Sequence, residues 1–259
     1  MELQAPSPWR AIDFISDLHL QASEMKTVAA WQHYLQHTTA DAVFILGDLF
    51  EVWVGDDTVA VQDSFEQLCA QTLREASQRL DIYILHGNRD FLMGHNLMQA
   101  AGATLIPDPT VLSFAGQRWL LTHGDALCLA DTAYLAFRER VRSESWQSAF
   151  LAKPLAERQA LARQMRQQSE TRKKTAHEYA DVDTNAALQW LRESNAASMI
   201  HGHTHRPNHH ALDAMHSRWV LSDWDLDHAP ARADVLRIDL TQAQPYRMDP
   251  LTLRPTTRD

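Results

Sequence analysis

The sequence is poor in cysteine, in long apolar runs and in excess positive charge, and each shortage excludes a class of protein. Its cysteines, Cys69 and Cys128, are far apart and form no CxxC pair. We therefore expect small buried thiols in a reducing compartment rather than a disulfide framework. No segment reaches the ~20 apolar residues that span a bilayer. The net charge of −9 argues against a general nucleic-acid-binding protein, whose footprint is usually basic.

The N-terminus and the overall composition predict a cytoplasmic globular protein. Residues 1–11 have no charged head followed by an apolar stretch, so we expect no signal peptide. The apolar share of 45% is enough for a sizeable core. A length of 259 residues fits one large domain, or one domain with an inserted cap.

Short apolar runs alternate with helix-like stretches over most of the chain. Apolar residues return every three or four positions in Glu24–His37 and Val59–Leu80, which predicts helices. The alternation indicates a layered α/β fold. Consecutive strands in Trp219–Leu240 would make its sheets mixed rather than purely parallel. The runs with the length and composition of strands are Ile12–Ser16, Ala42–Leu46, Ile82–Leu85, Trp119–Thr122, Ser198–Ile200 and Trp219–Ser222.

One basic segment interrupts this pattern. From Tyr134 to Lys174 helical periodicity replaces the strands, with ten Lys or Arg against four Glu. We interpret it as a helical cap, residues 131–175, inserted into a core formed by 1–130 and 176–259, and we expect Pro154 to begin or break a helix. Composition alone leaves two interpretations equally open. The segment is either a basic, aromatic surface for a substrate or an anionic membrane, or an ordinary solvated helical pair.

Polar motifs follow five of the apolar runs. Ligands gather at the carboxyl ends of strands in layered α/β folds, so these motifs would converge on one site. Each motif alone is weak evidence for a metal site; a Gly-Asp pair at a strand end, for example, is usually a turn. Packing requirements do not explain the presence of all five motifs in this order. The motifs are Asp17-Leu18-His19, Gly47-Asp48-Leu49-Phe50-Glu51, Gly87-Asn88-Arg89-Asp90, His123-Gly124-Asp125 and His201-Gly202-His203-Thr204-His205.

The donor atoms of these motifs are carboxylates, imidazoles and an amide oxygen. Such donors suit divalent Mn, Fe, Zn or Co, and the absence of thiolates argues against a structural zinc or an iron–sulfur cluster. The candidate ligands outnumber what one ion needs, and Asp48 is the natural bridge between two ions. Two ions roughly 3.5–4 Å apart can generate a hydroxide nucleophile and clamp a phosphoryl group. The motifs therefore predict a two-metal phosphoester hydrolase.

The ordered motifs resemble those of the calcineurin-like metallophosphoesterase superfamily. The longer strings around them are similar to those of its UDP-2,3-diacylglucosamine hydrolases of lipid A biosynthesis: Phe14–Leu20, Ile45–Asp57, His86–Gly94, Thr122–Asp125 and Ile200–Pro207. The resemblance covers roughly residues 12–240. It implies an α/β sandwich of mixed sheets flanked by helices, with an inserted helical cap. It also implies that a metal-activated water attacks the α-phosphate of the UDP group, releasing UMP and 2,3-diacylglucosamine 1-phosphate, which is lipid X.

The resemblance also implies roles for individual residues. One metal would be held by Asp17, His19, Asp48 and His205. The second metal would be held by Asp48, Asn88, His123 and His203; both are divalent, most often Mn²⁺ at the second position. The implied catalytic residues are Asp48, Asn88, Arg89 and His123. The implied substrate-binding residues are Asn88, Arg89, Asp131, Ser169, Lys173, Lys174 and His203. Arg89 suits phosphate oxygens, and the alternative interpretation is a structural salt bridge.

The same resemblance sets expectations for the partners. The substrate would be a nucleotide-linked glycolipid, and the protein would be a monomer bound peripherally to the cytoplasmic face of the inner membrane, with no nucleic-acid partner. Two other functions remain open from the sequence. One is a metallophosphoesterase for a soluble nucleotide or another phosphodiester, which would not need a basic, apolar insert. The other is a metal-binding scaffold without catalysis, against which the complete ligand set argues.

Several further polar residues lie beside the motifs. The acidic residues are expected either to orient histidine ligands or to be solvated loop residues; they are Glu51, Asp56, Asp57, Asp90 and Asp125. We expect His201 to pack or to contact a ligand from behind, and His209 and His210 to lie at the surface.

Overall fold

The computed structural model of the protein describes residues 1–175, 181–242 and 244–256, with the side chains of 167–175 outside the description. The strands are β1 Glu2–Gln4, β2 Ala11–Ile15, β3 Ala42–Leu46, β4 Asp81–Leu85, β5 Thr104–Leu105, β6 Thr110–Phe114, β7 Gln117–Thr122, β8 Ser198–His201, β9 Asn208–Ala211, β10 Ser217–Val220, β11 Val235–Asp239 and β12 Tyr246–Met248. The helices are α1 Met25–His37, α2 Phe65–Ala76, α3 His95–Ala101, α4 Thr132–Arg142, α5 Glu144–Leu151, α6 Leu155–Thr175 and α7 Thr184–Glu193. Short 3₁₀ helices lie at Asp56–Ala60 and Asp125–Leu127.

The strands form two mixed sheets. The first sheet has the order β1-β6-β7-β8-β10-β9, and the second has the order β12-β11-β2-β3-β4-β5. Strands β2, β3, β4 and β5 are mutually parallel, and so are β7, β8 and β10. Parallel neighbours end at the same edge of a sheet, so the segments that follow β2, β3 and β4 leave the second sheet together, and those that follow β7 and β8 leave the first sheet together.

Three apolar clusters hold these layers together. Phe14, Phe44 and Leu121 belong to the cluster between the two sheets. A larger cluster lies on the outer face of the second sheet beneath α1, α2 and α3 and includes Trp31, which is fully buried. A third, smaller cluster covers the outer face of the first sheet and includes Leu191 of α7. The central strands are therefore buried on both faces, which explains their nearly continuous apolar sequences.

The prediction of a layered α/β fold with mixed sheets is confirmed, and the bounds of most predicted strands agree to within two residues. Two regions need a correction. Val59–Leu80 is not one helix: α2 begins at Phe65, after Asp63 adopts a φ of 58° and the Ser64 side chain accepts a hydrogen bond from the Gln67 amide. Ser64 therefore fixes the beginning of α2, because the first amides of a helix need an acceptor and its side chain supplies one. The predicted strand Trp219–Ser222 instead spans Ser217–Val220, and its successor β11 lies in the other sheet.

The basic segment forms α4, α5 and α6 between β7 and β8. Pro154 immediately precedes α6, as predicted, and its carbonyl accepts hydrogen bonds from the amides of Glu157 and Arg158. The predicted substrate residues Ser169, Lys173 and Lys174 have side chains outside the described residues. Within the described residues, no helix is both long enough and apolar enough to cross a bilayer.

Candidate metal centre

The five motifs meet in one place because their loops are hydrogen-bonded to one another. The amide of Asp17 donates to the carbonyl of Gly47 at 3.1 Å, and the amide of His19 donates to the carbonyl of Asp48 at 3.0 Å. The amide of Gly202 donates to the carbonyl of His123 at 3.1 Å, which joins the two motifs of the first sheet in the same way. The amide of His203 reaches the Asp17 carboxylate at 2.9 Å and so links the sheets.

Most of the predicted metal ligands have an unusual backbone conformation. Non-glycine residues seldom adopt a positive φ, and such strain persists only where the surroundings enforce it, often at functional sites. Here it occurs at five of the seven predicted ligands: Asp17 (53°), His19 (48°), Asp48 (52°), His203 (67°) and His205 (52°).

One set of donors, which we call the first ligand group, consists of Asp17, His19 and His205. The Nε2 atom of His205 lies 3.3 Å from the Nε2 atom of His19 and 3.3 Å from Oδ1 of Asp17. The donor atoms of all three residues lie within 4.8 Å of one another. Two imidazole nitrogens and a carboxylate oxygen that point at one small volume fit a divalent cation.

The second ligand group consists of Asn88, His123 and His203. The amide oxygen of Asn88 lies 3.0 Å from Nε2 of His123 and 2.8 Å from Nδ1 of His203. Nδ1 of His123 lies 2.9 Å from the carbonyl oxygen of Leu46. A proton on Nδ1 would satisfy that carbonyl, so Nε2 is the nitrogen available to a metal.

Two buried carboxylates join these groups. Oδ2 of Asp48 lies 3.7 Å from Nε2 of His123, and its Oδ1 accepts a hydrogen bond from the Arg89 amide at 2.8 Å. Asp17, Asp48 and His123 also form a compact set of donors, again within 4.8 Å of one another. Asp17 therefore belongs to both compact sets, although the sequence had suggested Asp48 as the shared ligand. Either carboxylate is placed to lie between two cations.

The electrostatics of the centre favour added positive charge. Burial alone would raise the pKa of Asp17, but the attraction of His205, His123 and His19 outweighs it and holds that pKa well below its usual range. Burial alone would lower the pKa of His123, but Asp48, Asp17 and Asp125 raise it to about 9. Burial and the neighbouring His123 lower the pKa of His203 to about 3. Carboxylates that hold a proton on a buried imidazole would accept a cation in its place.

Acidic side chains support the first ligand group from outside. Oε2 of Glu51 lies 2.9 Å from Nδ1 of His19, and its Oε1 accepts a hydrogen bond from Arg89 at 2.9 Å. Arg166, from α6, lies 2.8 Å from the same Oε1 atom. Oδ2 of Asp223 lies 3.5 Å from Nδ1 of His205. These contacts orient the rings, as carboxylates beside histidine ligands commonly do.

The other acidic residues have mixed roles. Asp90 is fully buried and accepts hydrogen bonds from the amides of Gly87 and Leu49, so it joins two motif loops; burial and the nearby Asp48 raise its pKa to about 7. Asp56 accepts hydrogen bonds from the amides of Gly94 and Leu97 at the start of α3.

Asp57 and Asp131 act at the boundary with the inserted helices. Asp57 forms an ion pair with Arg158 of α6. Asp131, predicted to bind substrate, is exposed and caps α4 by accepting a hydrogen bond from the Tyr134 amide at 3.0 Å.

The histidines around the last motif also differ from one another. His201 is fully buried, and its Nε2 atom lies 3.3 Å from Arg218. Its pKa falls to about 4, chiefly because of burial. His209 is exposed on β9, where its ring stacks on Trp219 with centroids 4.0 Å apart, and His210 is half-buried.

Four residues near the centre were not predicted from the sequence as parts of the site. Asp223 lies beyond the last motif, and its position gave no signal. The sequence identifies Tyr134 and Arg138 only as members of an aromatic, basic segment, and it predicts that Arg142, with Arg140, belongs to the face that could meet a membrane. The half-buried Arg142 instead donates a hydrogen bond to the carbonyl of Gly87. The four-residue spacing of Tyr134, Arg138 and Arg142 places them on one face of α4 and could have identified that face.

Comparisons with known proteins agree with this geometry. Residues 11–207 match the family model described as Calcineurin-like phosphoesterase. A protein of Chromobacterium violaceum named UDP-2,3-diacylglucosamine hydrolase is 46% identical over 225 residues, which cover 83% of this chain and 90% of its own length. Proteins with the same name from Bordetella pertussis and Cellvibrio japonicus are 41% and 43% identical, covering 92% and 82% of this chain and 93% and 90% of theirs.

Proposed function

Since the chain belongs to the calcineurin-like phosphoesterase family, we propose that it hydrolyses the pyrophosphate bond of UDP-2,3-diacylglucosamine in lipid A biosynthesis. The products would be UMP and 2,3-diacylglucosamine 1-phosphate, formed by attack of water on the α-phosphate. The observation that carries the substrate is 46% identity to a protein of that name over most of both chains. The converging ligand groups support the reaction type independently of that name.

We assign the predicted ligands to two divalent ions and propose Mn²⁺ as their identity, because the resemblance implies it. Asp17, His19, Asp48 and His205 would hold the first ion, and Asp48, Asn88, His123 and His203 would hold the second. When bound, such ions supply a nucleophile from water at neutral pH and neutralise phosphate charge. The carboxylates and imidazoles of this chain would hold the ions, and the imidazoles would bind them in their neutral form.

Arg89 would bind the substrate phosphate beside Asn88 and His203. One guanidinium nitrogen of Arg89 is held by Glu51, and its side chain remains 20% exposed. A guanidinium has five N–H donors, so the bond to Glu51 fixes its direction and leaves other donors for phosphate oxygens. Charge that grows on the phosphoryl group would be stabilised there. The salt bridge and the phosphate contact are thus compatible.

The inserted segment, residues 131–175, would bind the acyl-bearing part of the substrate above the core formed by 1–130 and 176–259. Asp131 lies at the start of the segment, immediately before α4. Asp131, Ser169, Lys173 and Lys174 remain proposed substrate contacts. Leu151 is 42% exposed at the end of α5, and Arg163 is exposed on α6. An exposed apolar side chain and an exposed basic side chain in the same segment suit the surface of an anionic bilayer. We therefore propose that this segment contacts the inner membrane; the cytoplasmic location and the monomeric state are proposed from the resemblance alone.

The decisive experiment is a product assay with purified protein, Mn²⁺ and UDP-2,3-diacylglucosamine. We expect UMP and the lipid monophosphate in equal amounts, and no product after removal of metal by a chelator. Hydrolysis of bis(p-nitrophenyl) phosphate without release of UMP would instead identify a phosphoesterase for another substrate. Metal binding without either activity would identify a scaffold.

Membrane association is tested separately by sedimentation with vesicles. Arg163→Glu should weaken binding to phosphatidylglycerol vesicles by at least about fivefold, because each basic residue near an anionic surface contributes about 1 kcal/mol. Arg192→Glu, a charge reversal on the exposed surface of α7, is the matched control. Equal effects of the two substitutions would contradict the proposed membrane face.

A further inference from the structure

One face of α4 points at the metal centre rather than at solvent. Tyr134, Arg138 and Arg142 are spaced by four residues, so they lie along one side of this helix. All three are half-buried, whereas Arg140 on the same helix is exposed, with its guanidinium 5.5 Å from the Phe137 ring. One side of α4 therefore carries half-buried polar residues, while Arg140 lies on the exposed side.

The inward face meets the buried carboxylate of Asp125, two residues after the ligand His123. The Tyr134 hydroxyl donates a hydrogen bond to Oδ2 of Asp125. Nε of Arg138 donates to the same oxygen at 2.8 Å, and Arg142 lies 3.8 Å from it. The Asp125 side chain is fully buried. A buried carboxylate is tolerated only when it is paired, so Asp125 fixes α4 firmly to the loop that carries His123.

The same face touches the loops of the other two ligands. Arg142 donates a hydrogen bond at 2.9 Å to the carbonyl of Gly87, which immediately precedes Asn88. The Tyr134 ring stacks on the His203 ring, with centroids 6.0 Å apart and planes at 29°. Helix α4 thus contacts His203 directly, Asn88 through the adjacent Gly87, and His123 through Asp125, two residues further along the chain.

We propose that α4 positions the second ligand group, so that the inserted segment is a structural part of the metal centre as well as a cover for the substrate. Tyr134, Arg138 and Arg142 are its positioning residues, and Asp125 is the group through which they act on His123. This inference rests on the proposed metal-dependent function. The further expectation is that loss of the α4 contacts weakens the binding of the second ion and leaves the binding of the first ion unchanged.

The test measures Mn²⁺ binding to the full chain by titration calorimetry, in two backgrounds that each remove one site. His205→Ala leaves the second ligand group, and His203→Ala leaves the first. In the His205→Ala background, Arg138→Gln should weaken binding by about tenfold, the lower end of the 10–100-fold cost of losing a direct outer partner, because Arg138 acts on His123 only through Asp125. In the His203→Ala background the same substitution should leave the affinity unchanged.

Two further variants make the result specific. Tyr134→Phe removes only a hydroxyl and keeps the ring over His203, so it should fold normally and reproduce a smaller loss at the second site alone. Arg140→Gln, on the outer face of α4, should change neither affinity. Equal losses at both sites, or no loss with Tyr134→Phe and Arg138→Gln, would overturn the positioning role. Failure of either background to bind Mn²⁺ at all would instead contradict the proposed two-ion centre.

Discussion

The two ligand groups contain similar residues, but they differ in burial and in what holds them. The first group contains the most exposed ligand, His205, whose side chain is 38% exposed, although His19 is 14% exposed and Asp17 is fully buried. In the second group, His123 is fully buried, and Asn88 and His203 are half-buried. Carboxylates of the core, Glu51 and Asp223, hold the first group. A backbone carbonyl and helix α4 hold the second.

From this difference we expect separate duties for the two proposed sites. Burial removes competing water and strengthens electrostatic interactions, so the second site should bind its ion more durably. The first site, which we call the open site because His205 is exposed, should exchange its ion more readily. Asp17 and Asp48 lie between the groups and should couple them.

The largest expected effect comes from removing a ligand that both groups share. Asp48→Ala should lower activity by more than about 100-fold, because even the loss of an outer partner of a metal ligand costs about 10–100-fold. Metal analysis should show fewer than two ions per chain. Glu75→Ala, at an exposed position on α2, controls for loss of a carboxylate. A fully active Asp48→Ala protein would refute the shared role of this residue.

A smaller effect should be confined to the first site. Glu51→Gln removes the charge beside His19 while keeping the shape of the side chain. It should weaken the binding of the first ion by about 10–100-fold. In the His205→Ala background, which lacks the first site, the same change should have little effect on Mn²⁺ affinity. Similar losses at both sites would show that Glu51 supports the whole centre.

A kinetic difference should follow from burial alone. When Mn²⁺-loaded protein is mixed with excess chelator, one ion should leave several times faster than the other. Atomic absorption of protein samples taken over time would resolve the two phases. The His203→Ala protein, with only the open site, should show the fast phase alone. A slow phase in that variant would reverse the assignment of the two sites.

The smallest expected effect concerns a histidine outside the centre. His210→Ala, on strand β9, should leave the metal content unchanged and alter the free energy of unfolding by no more than about 0.5 kcal/mol. Urea unfolding and metal analysis would check both. Loss of metal in this variant would extend the centre beyond the five motifs.

Much of the fold and the centre could be predicted from the sequence, because local patterns carry that information. Apolar runs predicted β3 at its observed bounds, and helical periodicity predicted α1 to within one residue. The prediction failed for Val59–Leu80, where a local cap at Ser64 interrupts a pattern that periodicity alone would continue. The prediction of a strand at Trp219–Ser222 was also two residues too late, because pairing with β8 and β9, rather than composition, sets the bounds of β10.

The sequence by itself determined the types of donor atom and their positions at strand ends, since both are local properties. Only the tertiary structure decided which donors share a volume, because the motifs come from strands of two different sheets. It placed Asp17 as well as Asp48 between the groups, and it imposed the positive φ values that aim the ligands inward. It also turned one face of a basic helix toward Asp125. That orientation depends on the burial of Asp125, and the spacing of residues along the chain does not record which carboxylates are buried.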